Sequence, residues 1–309
     1  MLDCPLPQAL HYVDDSQPGL TRRRWRDRFH YFDTDGKRIR DAQTLARIAA
    51  LAIPPAYTAV WICPDPQGHL QATGRDARGR KQYRYHAQWR ELRDQHKYDR
   101  MLAFAQALPR LRRQLDSHLA RPGLDREKVM ALVVSLLDTT LIRIGNRQYL
   151  RENNSYGLTT LRNRHVQVQG STVRFQFRGK RGVEHDVSLR DRRLARLIKR
   201  CLELPGQTLF QYLDEQGQRH AVGSSEVNQF LQQLTGADFT AKDYRTWAGS
   251  ALALDLLRPL AWQPESEARR QVAAIVRQVA TRLGNTPAVC RRCYIHPAVL
   301  EHYQLGRLA

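Results

Sequence analysis

The sequence predicts an α+β fold in two parts, a small β-rich domain followed by a larger, mainly helical domain that carries a β-hairpin sheet. Three observations lead to this prediction. Short β-prone runs separated by turn residues fill residues 20–85, a helical period dominates from about residue 90, and strands interrupt that period at residues 165–189. We therefore expect the two domains to be residues 1–88 and residues 89–309.

The first predicted elements form a hairpin. Residues 29–32 (Phe-His-Tyr-Phe) are β-prone, residues 34–36 (Thr-Asp-Gly) have turn composition, and a second short strand follows at residues 37–39. This hairpin is expected to begin the sheet of the small domain.

One helix and two further strands complete the small domain. Asp41 is a suitable N-cap for a helix over residues 42–52, which Pro54 ends. The strands, residues 59–63 and 69–73, lie on either side of a turn that contains proline and glycine. Strands on both sides of one helix are typical of a small α+β unit.

The large domain is predicted to be helical around a short sheet. A helix over residues 124–142 has apolar residues on a broad face, and Gly145 suits the turn after it. Three strands joined by glycine-containing turns follow, at residues 165–169, 172–177 and 183–189. The remaining helices are expected over residues 191–204, 225–234, 240–257, 265–283 and 287–294.

The charge balance indicates a polyanionic partner. The chain carries 50 Lys and Arg against 30 Asp and Glu, a net charge of +20, and only seven of these cations are lysine. Nucleic acid is the first candidate for such a partner, and an arginine-rich composition without a specific partner is the alternative. The cations are spread along the chain rather than gathered in one amphipathic helix, which argues against a membrane surface.

Membrane insertion, secretion and a metal site are not predicted. The longest apolar stretch without a charge, residues 129–137, is too short to cross a bilayer, and the first residues lack the features of a secretion signal. Five cysteines without such a signal indicate a reducing compartment. The Cys290-Arg-Arg-Cys293 pair has no second pair with which to hold zinc, so we interpret it as incidental. We expect a cytoplasmic protein without metal or cofactor.

Two cations occupy positions at which they can meet an anion. Arg143 lies at the end of the predicted buried helix, although a cation there also simply offsets the helix dipole. Lys180 lies between two glycines at a hairpin tip, in a chain that otherwise prefers arginine. Lysine, unlike arginine, can give up its proton near neutral pH and serve as a general acid, while a solvated turn lysine is the plainer alternative.

Two segments nearer the C-terminus also allow two interpretations. Lys242 and Arg245 are three residues apart near a helix start, so they can share a face that binds phosphate or is merely solvated. Thr286 and Pro287 are suited to begin a helix that leads to Tyr294. Neighbouring arginines favour the phenolate, which makes Tyr294 a candidate nucleophile for phosphorus, but ordinary packing is the role of most tyrosines.

In their order along the chain, these segments resemble the type IB DNA topoisomerases, specifically the small branch of poxvirus-like and bacterial enzymes. The resemblance extends from about Gly19 to the C-terminus. It implies a C-shaped clamp around duplex DNA with a catalytic fold shared with the tyrosine recombinases. The matching segments are Leu141-Ile-Arg-Ile-Gly145, Tyr149-Leu-Arg-Glu-Asn153, Tyr156-Gly-Leu-Thr-Thr160, Phe177-Arg-Gly-Lys180, Lys242-Asp-Tyr-Arg245 and Gly284-Asn-Thr-Pro…Tyr294.

The resemblance implies a role for each residue of the candidate site. Tyr294 is expected to attack a phosphodiester and form a 3′-phosphotyrosyl intermediate, while Lys180 protonates the leaving 5′-oxygen. Arg143 and Arg245 are expected to bind the non-bridging oxygens of the phosphate. Asn285 stands where many members of the family have histidine; it can donate a hydrogen bond to the phosphate but cannot transfer a proton near pH 7.

Contacts with double-stranded DNA are implied for a second set of residues. The segment 79–85 resembles the DNA-facing strand of the family, in which a glutamine and two tyrosines meet the major groove. A later tyrosine matches one that contacts phosphate. The expected DNA-binding residues are Gln82, Tyr83, Tyr85, Tyr149 and Lys242.

The function implied by the resemblance is relaxation of positive and negative supercoils by transient single-strand cleavage and religation, without ATP or metal. We expect a monomer on DNA, in the cytoplasm with the bacterial nucleoid, with residues 86–92 as the hinge of the clamp and no small-molecule substrate. A tyrosine site-specific recombinase is the first alternative, although such enzymes act as tetramers and usually have histidine where this chain has Lys242. A non-catalytic DNA-binding protein is the second alternative, and it would have no use for Tyr294.

Overall fold

The computed structural model describes residues 10–77 and 79–308, and their backbone forms two compact units whose boundary follows Arg100. Cys4 lies outside the described residues. The division into domains at residues 1–88 and 89–309 stays a prediction.

The first unit is built on an antiparallel sheet of five strands in the order β2-β1-β3-β4-β5. Ile48 of its helix α1 packs on the sheet against Leu20, Val60 and Ile62. Asp41 is the N-cap of α1, as predicted, since its carboxylate accepts a hydrogen bond from the Thr44 amide. The elements are β1 (Leu20–Trp25), β2 (Arg28–Phe32), α1 (Ala42–Ala50), β3 (Thr58–Ile62), β4 (Leu70–Arg75) and β5 (Lys81–Tyr85).

The predicted hairpin of residues 29–32 and 37–39 is confirmed next to its turn, where Phe32 and Arg38 form an antiparallel bridge and the Ile39 amide donates to the Tyr31 carbonyl. The main partner of β2 is nevertheless β1, which pairs with it along its whole length and was not predicted. The sequence pattern missed β1 because three of its six residues are arginines. One of them, Arg22, is held by the carbonyl oxygens of the loop before β3, where its guanidinium donates three hydrogen bonds.

The segment expected as the hinge, residues 86–92, is helical from Ala87 on rather than an irregular linker, and the hinge itself stays a prediction. Helix α2 (Ala87–Ala120) begins here and has 34 residues. Residues 86–92 contain neither glycine nor proline, so nothing in this segment interrupts a helix.

The second unit is mainly helical, and its large core surrounds helix α3 (Arg126–Thr140). Residues Val129 to Val134 of α3 are fully buried. Its other helices are α4 (Arg147–Asn153), α5 (Arg192–Glu203), α6 (Ser224–Thr235), α7 (Ala241–Leu257), α8 (Glu265–Leu283), α9 (Pro287–Cys293) and α10 (Pro297–Gln304). Helices α5 to α8 each begin and end within one residue of the predicted bounds.

Two small sheets complete the second unit. The three-stranded sheet β6-β7-β8 confirms the predicted strand–turn–strand segment, with antiparallel pairing throughout. A two-stranded sheet of β9 and β10 was not predicted, since each strand has only three residues. The strands are β6 (Val166–Gln169), β7 (Thr172–Arg178), β8 (Glu184–Arg190), β9 (Gln211–Leu213) and β10 (Arg219–Ala221).

A second, smaller core lies between α7, α8 and α10. It contains Ala253, Val272, Val279 and Leu300, and the ring of Tyr294 packs against it. Among the described residues, no helix is both long enough and apolar enough to cross a membrane.

Candidate active site

Arg143 lies in a loop rather than on the end of helix α3. The helix ends at Thr140 because Leu141 adopts a left-handed conformation with a φ of 57°. The expectation that the helix continues to residue 142 and turns at Gly145 is therefore wrong. The Leu158 amide donates a hydrogen bond of 2.9 Å to the Arg143 carbonyl, which holds the loop in place.

The side chain of Arg143 reaches the turn after helix α8. Its Nη2 donates to Oδ1 of Asn285 at 2.5 Å, and its Nη1 donates to the Gly284 carbonyl at 3.3 Å. Gly284 has a φ of 59°, and the next amide, that of Asn285, donates back to the Ala280 carbonyl. This end of α8 therefore places Asn285 against Arg143.

Arg245 is buried, with 4 % of its surface exposed, in the second turn of α7. Its two Nη atoms donate to the carbonyl oxygens of Leu141 and Leu283, which belong to the ends of α3 and α8. A single guanidinium thus joins the two loops that carry Arg143 and Asn285. Lys242, one turn earlier, is exposed.

The charge of Arg245 is incompletely compensated. Burial, together with the nearby Arg143 cation, lowers the pKa of Arg245 to about 10, although the charge of Tyr294 and a side-chain hydrogen bond with it act to raise this pKa. The group remains a cation at neutral pH. Its Nε has no hydrogen-bond partner among the residues that the structure describes. A buried donor of this kind is suited to an anion that enters the site.

Tyr294 follows helix α9 and lies beside Arg245. The guanidinium carbon of Arg245 is 5.2 Å from the centroid of the Tyr294 ring. Thr286 caps the start of α9 and Pro287 is its first residue, as predicted. The backbone of Tyr294 is held on both sides, since its amide donates to the Cys290 carbonyl and its carbonyl accepts from Ser250 Oγ at 3.2 Å.

Lys180 lies at the turn between β7 and β8. The Gly179 amide donates to the Val183 carbonyl across this turn, and Lys180 itself is exposed. Its Nζ lies 5.4 Å from the ring centroid of Tyr149, a cation–π distance. The structure therefore brings Lys180 together with Tyr149, and it brings the other three expected catalytic residues together around Arg245.

Sequence reasoning missed His185, which lies between these two groups. The ring is packed beside Gly179, next to Lys180, and beside Gly284, next to Asn285. Burial, and then the cations Arg143 and Arg245, lower the pKa of His185. The sequence did contain a signal for His185: side chains along β8 alternate between two faces, and this histidine takes the same face as Val187 and Leu189.

Three arginines that the sequence did not single out line a cavity of about 470 Å³ in the second unit. They lie on helix α4 and after the short helix Leu158–Thr160, and no carboxylate belongs to the lining. A lining of this charge suits the phosphates of a nucleic acid. The arginines are Arg147, Arg151 and Arg162.

The expected DNA-facing strand of the first unit is β5, and its side chains alternate between two faces. Tyr83 and Tyr85 share one face, where their rings stack with 6.1 Å between centroids, and Lys81 Nζ lies 5.5 Å from the Tyr83 ring. Gln82 takes the opposite face and donates to the Asp76 carboxylate at 3.0 Å. The structure thus does not bring Gln82 together with the two tyrosines.

The cysteines near the site are thiols. Cys290 is fully buried below Tyr294, and burial raises the pKa of its thiol to about 11. Cys293 is half-buried. Among the described residues, no three His, Cys, Asp or Glu side chains converge in a way that could hold a metal ion.

Comparisons with known proteins agree with one another. Residues 86–306 match the model of the catalytic core of eukaryotic DNA topoisomerase I, and residues 28–76 match that of the N-terminal domain of bacterial DNA topoisomerase IB. The chain is similar to DNA topoisomerase 1B of Acanthamoeba polyphaga mimivirus, with 30% identity over 294 residues that cover 93% of this chain and 88% of the relative. It is also similar to DNA topoisomerase I of monkeypox virus and DNA topoisomerase 1B of Vaccinia virus (strain Copenhagen), each with 25% identity over 236 residues that cover 74% of this chain and 70% of the relative.

Proposed function

This chain belongs to the type IB DNA topoisomerase family, and on that premise we propose that Tyr294 is the nucleophile with which it opens one strand of duplex DNA. The position of Arg245 carries this proposal. Its guanidinium lies over the Tyr294 ring, and its Nε is a buried donor without a partner among the described residues. A phosphodiester held by that donor would lie next to the phenol oxygen.

Arg143 and Asn285 bind the same phosphate. Asn285 Oδ1 accepts from Arg143, and one N–H of its amide Nδ2 donates to the Leu283 carbonyl at 3.5 Å. The second N–H of Nδ2 is left to donate to a non-bridging oxygen. Two guanidinium groups and one amide then stabilise the charge that develops on the phosphorus oxygens in the transition state. This task needs a hydrogen-bond donor and no proton transfer, so asparagine is adequate at position 285.

Lys180 is the general acid of the cleavage step. The oxygen of Tyr294 forms a bond to phosphorus and loses its proton to solvent, the bond from phosphorus to the 5′-oxygen breaks, and Lys180 gives its proton to that 5′-oxygen. Religation reverses each change. The 3′-phosphotyrosyl ester retains the energy of the phosphodiester, so the cycle needs no ATP. Rotation of the free strand between the two steps removes supercoils of either sign.

The remaining expected residues hold the duplex. Tyr149 meets phosphate beside Lys180, a role supported by the position of Lys180 Nζ over its ring. Lys242 is an exposed cation one turn before Arg245. The stacked pair Tyr83 and Tyr85 offers an aromatic surface with Lys81 beside it. Gln82 reads a base edge only if it leaves Asp76.

One chain acts alone as a C-shaped clamp in this proposal, and it works on the nucleoid in the cytoplasm of a bacterial cell. The match to a bacterial N-terminal domain supports the bacterial origin. The thiols of Cys63, Cys201 and Cys290 are all buried and unpaired with one another, which suits a reducing compartment.

Relaxation of plasmid DNA tests the proposed function. Purified protein with excess EDTA and no ATP should relax both positively and negatively supercoiled plasmid, and Tyr294→Phe should abolish relaxation and the covalent DNA adduct. Tyr244→Phe is the matched control, because Tyr244 directly precedes Arg245 in the chain and its buried hydroxyl has no hydrogen-bond partner among the described residues. This control should relax DNA at the normal rate.

Other outcomes would contradict the proposal. Salt-sensitive DNA binding without relaxation, equal in the protein and in Tyr294→Phe, would indicate a non-catalytic DNA-binding protein. Formation of tetramers that exchange strands between paired sites would indicate a recombinase.

A further inference from the structure

His185 is a residue of the candidate site for which the steps above give no role. It is the second residue of β8, and its ring stacks on Phe177 of β7, with 4.8 Å between the ring centroids and 5° between the planes. The side chains at positions 185, 187 and 189 take the half-buried face of β8. His185 is therefore packed like a core residue although it borders a cluster of cations.

Two glycines make room for the His185 ring. A Cβ atom on Gly179 would lie 2.6 Å from Nε2 of His185, and a Cβ atom on Gly284 would lie closer still to Cε1. Gly179 has a φ of −95°, which any residue can adopt, so its backbone conformation does not require glycine. The position of the ring explains why Gly179 has no side chain.

The ring thus touches the residue before Lys180 and the residue before Asn285. The hydrogen bonds that close the Lys180 turn, from Gly179 to Val183 and from Gly182 to Gly179, lie within the turn. They shape the turn but do not hold it against the end of α8. The His185 ring fills the space between these two segments.

We propose that His185 is a positioning residue for Lys180, whose turn it holds against the Arg143–Asn285 pair through ring packing. This inference rests on the proposed function, in which that pair holds the phosphate and Lys180 protonates its 5′-oxygen. Misplacement of a general acid by about 1 Å is enough to slow a reaction strongly. Because burial and the two arginine cations lower the pKa of His185, the ring is neutral at pH 7 and brings no further positive charge to the site.

A substrate that needs no general acid distinguishes misplacement of Lys180 from a defect that affects the whole site. When sulfur replaces the 5′-oxygen at the scissile bond, the leaving group is a thiolate, which departs without a proton because thiols ionise near pH 8.5. A defect in Lys180 or in its position should then slow cleavage of the oxygen substrate and spare the sulfur substrate. A fault in Arg143, Arg245 or Tyr294 should slow both.

His185→Ala should reduce single-turnover cleavage of the oxygen substrate by about tenfold or more, and of the sulfur substrate by less than about threefold, with unchanged DNA affinity. His165→Ala is the matched control, because His165 is a buried histidine that, like His185, packs its ring against an aromatic ring, here edge-on against Tyr156. Any loss of activity in this control should be equal for the two substrates.

Two further variants guard against a folding defect. His185→Phe keeps a flat ring on Phe177 without any ring nitrogen, and it should restore most of the cleavage that His185→Ala loses. Gly179→Ala places a methyl group where the ring lies and should show the same oxygen-selective defect. In the double variant Gly179→Ala/His185→Ala the clash is absent, so the two effects should not add.

Lys180→Ala, measured in parallel, distinguishes the two possible failures. If Lys180→Ala is oxygen-selective but His185→Ala slows both substrates equally, or neither, the positioning role is overturned while the proposed function stands. The same holds if His185→Phe is as slow as His185→Ala. If Lys180→Ala is not oxygen-selective, the assignment of the general acid fails and the role of His185 fails with it.

Discussion

Gly249 lies inside helix α7 at the point where this helix meets the backbone of Tyr294. A Cβ atom at position 249 would lie 2.5 Å from the Tyr294 carbonyl oxygen and 3.0 Å from the Tyr294 Cβ. Non-bonded heavy atoms are most stable about 3.5 Å apart, so Gly249→Ala should move Tyr294 or α7 by about 1 Å. Either movement changes the position of the proposed nucleophile relative to Arg245, which lies on α7.

The expected loss of activity is larger than the loss of stability. Displacement of a reacting group by about 1 Å costs about 100-fold in rate, which corresponds to about 2.7 kcal/mol in the barrier. Alanine in a helix interior stabilises by about 0.5–1 kcal/mol over glycine, whereas overpacking costs about 1–3 kcal/mol. The free energy of unfolding should therefore fall by no more than about 2.5 kcal/mol.

Rapid-quench measurement of the covalent adduct on a duplex oligonucleotide gives the rate, and urea unfolding gives the stability. Asp255→Ala is the control, because it also raises helix propensity in α7 but lies on the exposed face. This control should form the adduct at the normal rate. Folded Gly249→Ala protein that forms the adduct at the normal rate would refute the packing argument.

Three further results are expected. Asn285→Ala should slow adduct formation by about tenfold to 100-fold, because a hydrogen bond to the charged Arg143 is worth about 1.5–3 kcal/mol. Unchanged adduct formation would show that Asn285 does not orient Arg143. Lys242→Ala should reduce the slope of log affinity against log salt by about 1, as for the loss of one phosphate contact, and an unchanged slope would remove Lys242 from the DNA interface. Burial, and then Arg164 and Arg162, lower the pKa of His165, so below about pH 6.5 the unfolded chain binds a proton that the folded chain does not. Urea unfolding should therefore show a free energy of unfolding that falls from pH 7.5 to pH 5.5. The fall should be less steep in His165→Gln.

The sequence by itself determined the elements whose signals are local. Caps, turns and apolar periods placed helices α5 to α8 within a residue, and alternation with glycine turns placed the sheet β6-β7-β8. The net charge and the order of the motifs were sufficient to identify the family. Each of these signals depends on neighbouring residues or on composition, so no knowledge of the tertiary structure was needed.

Tertiary structure alone decided how the site is assembled. Arg143 and Asn285 are separated by 142 residues in sequence, and the left-handed residue Leu141 and the end of α8 bring them together. No local pattern reports such a contact, because its energy comes from packing between distant segments. The place of His185 between two glycines has the same origin. Sequence periodicity can show that a strand position is turned inward, but only the folded chain shows what occupies the space beside it.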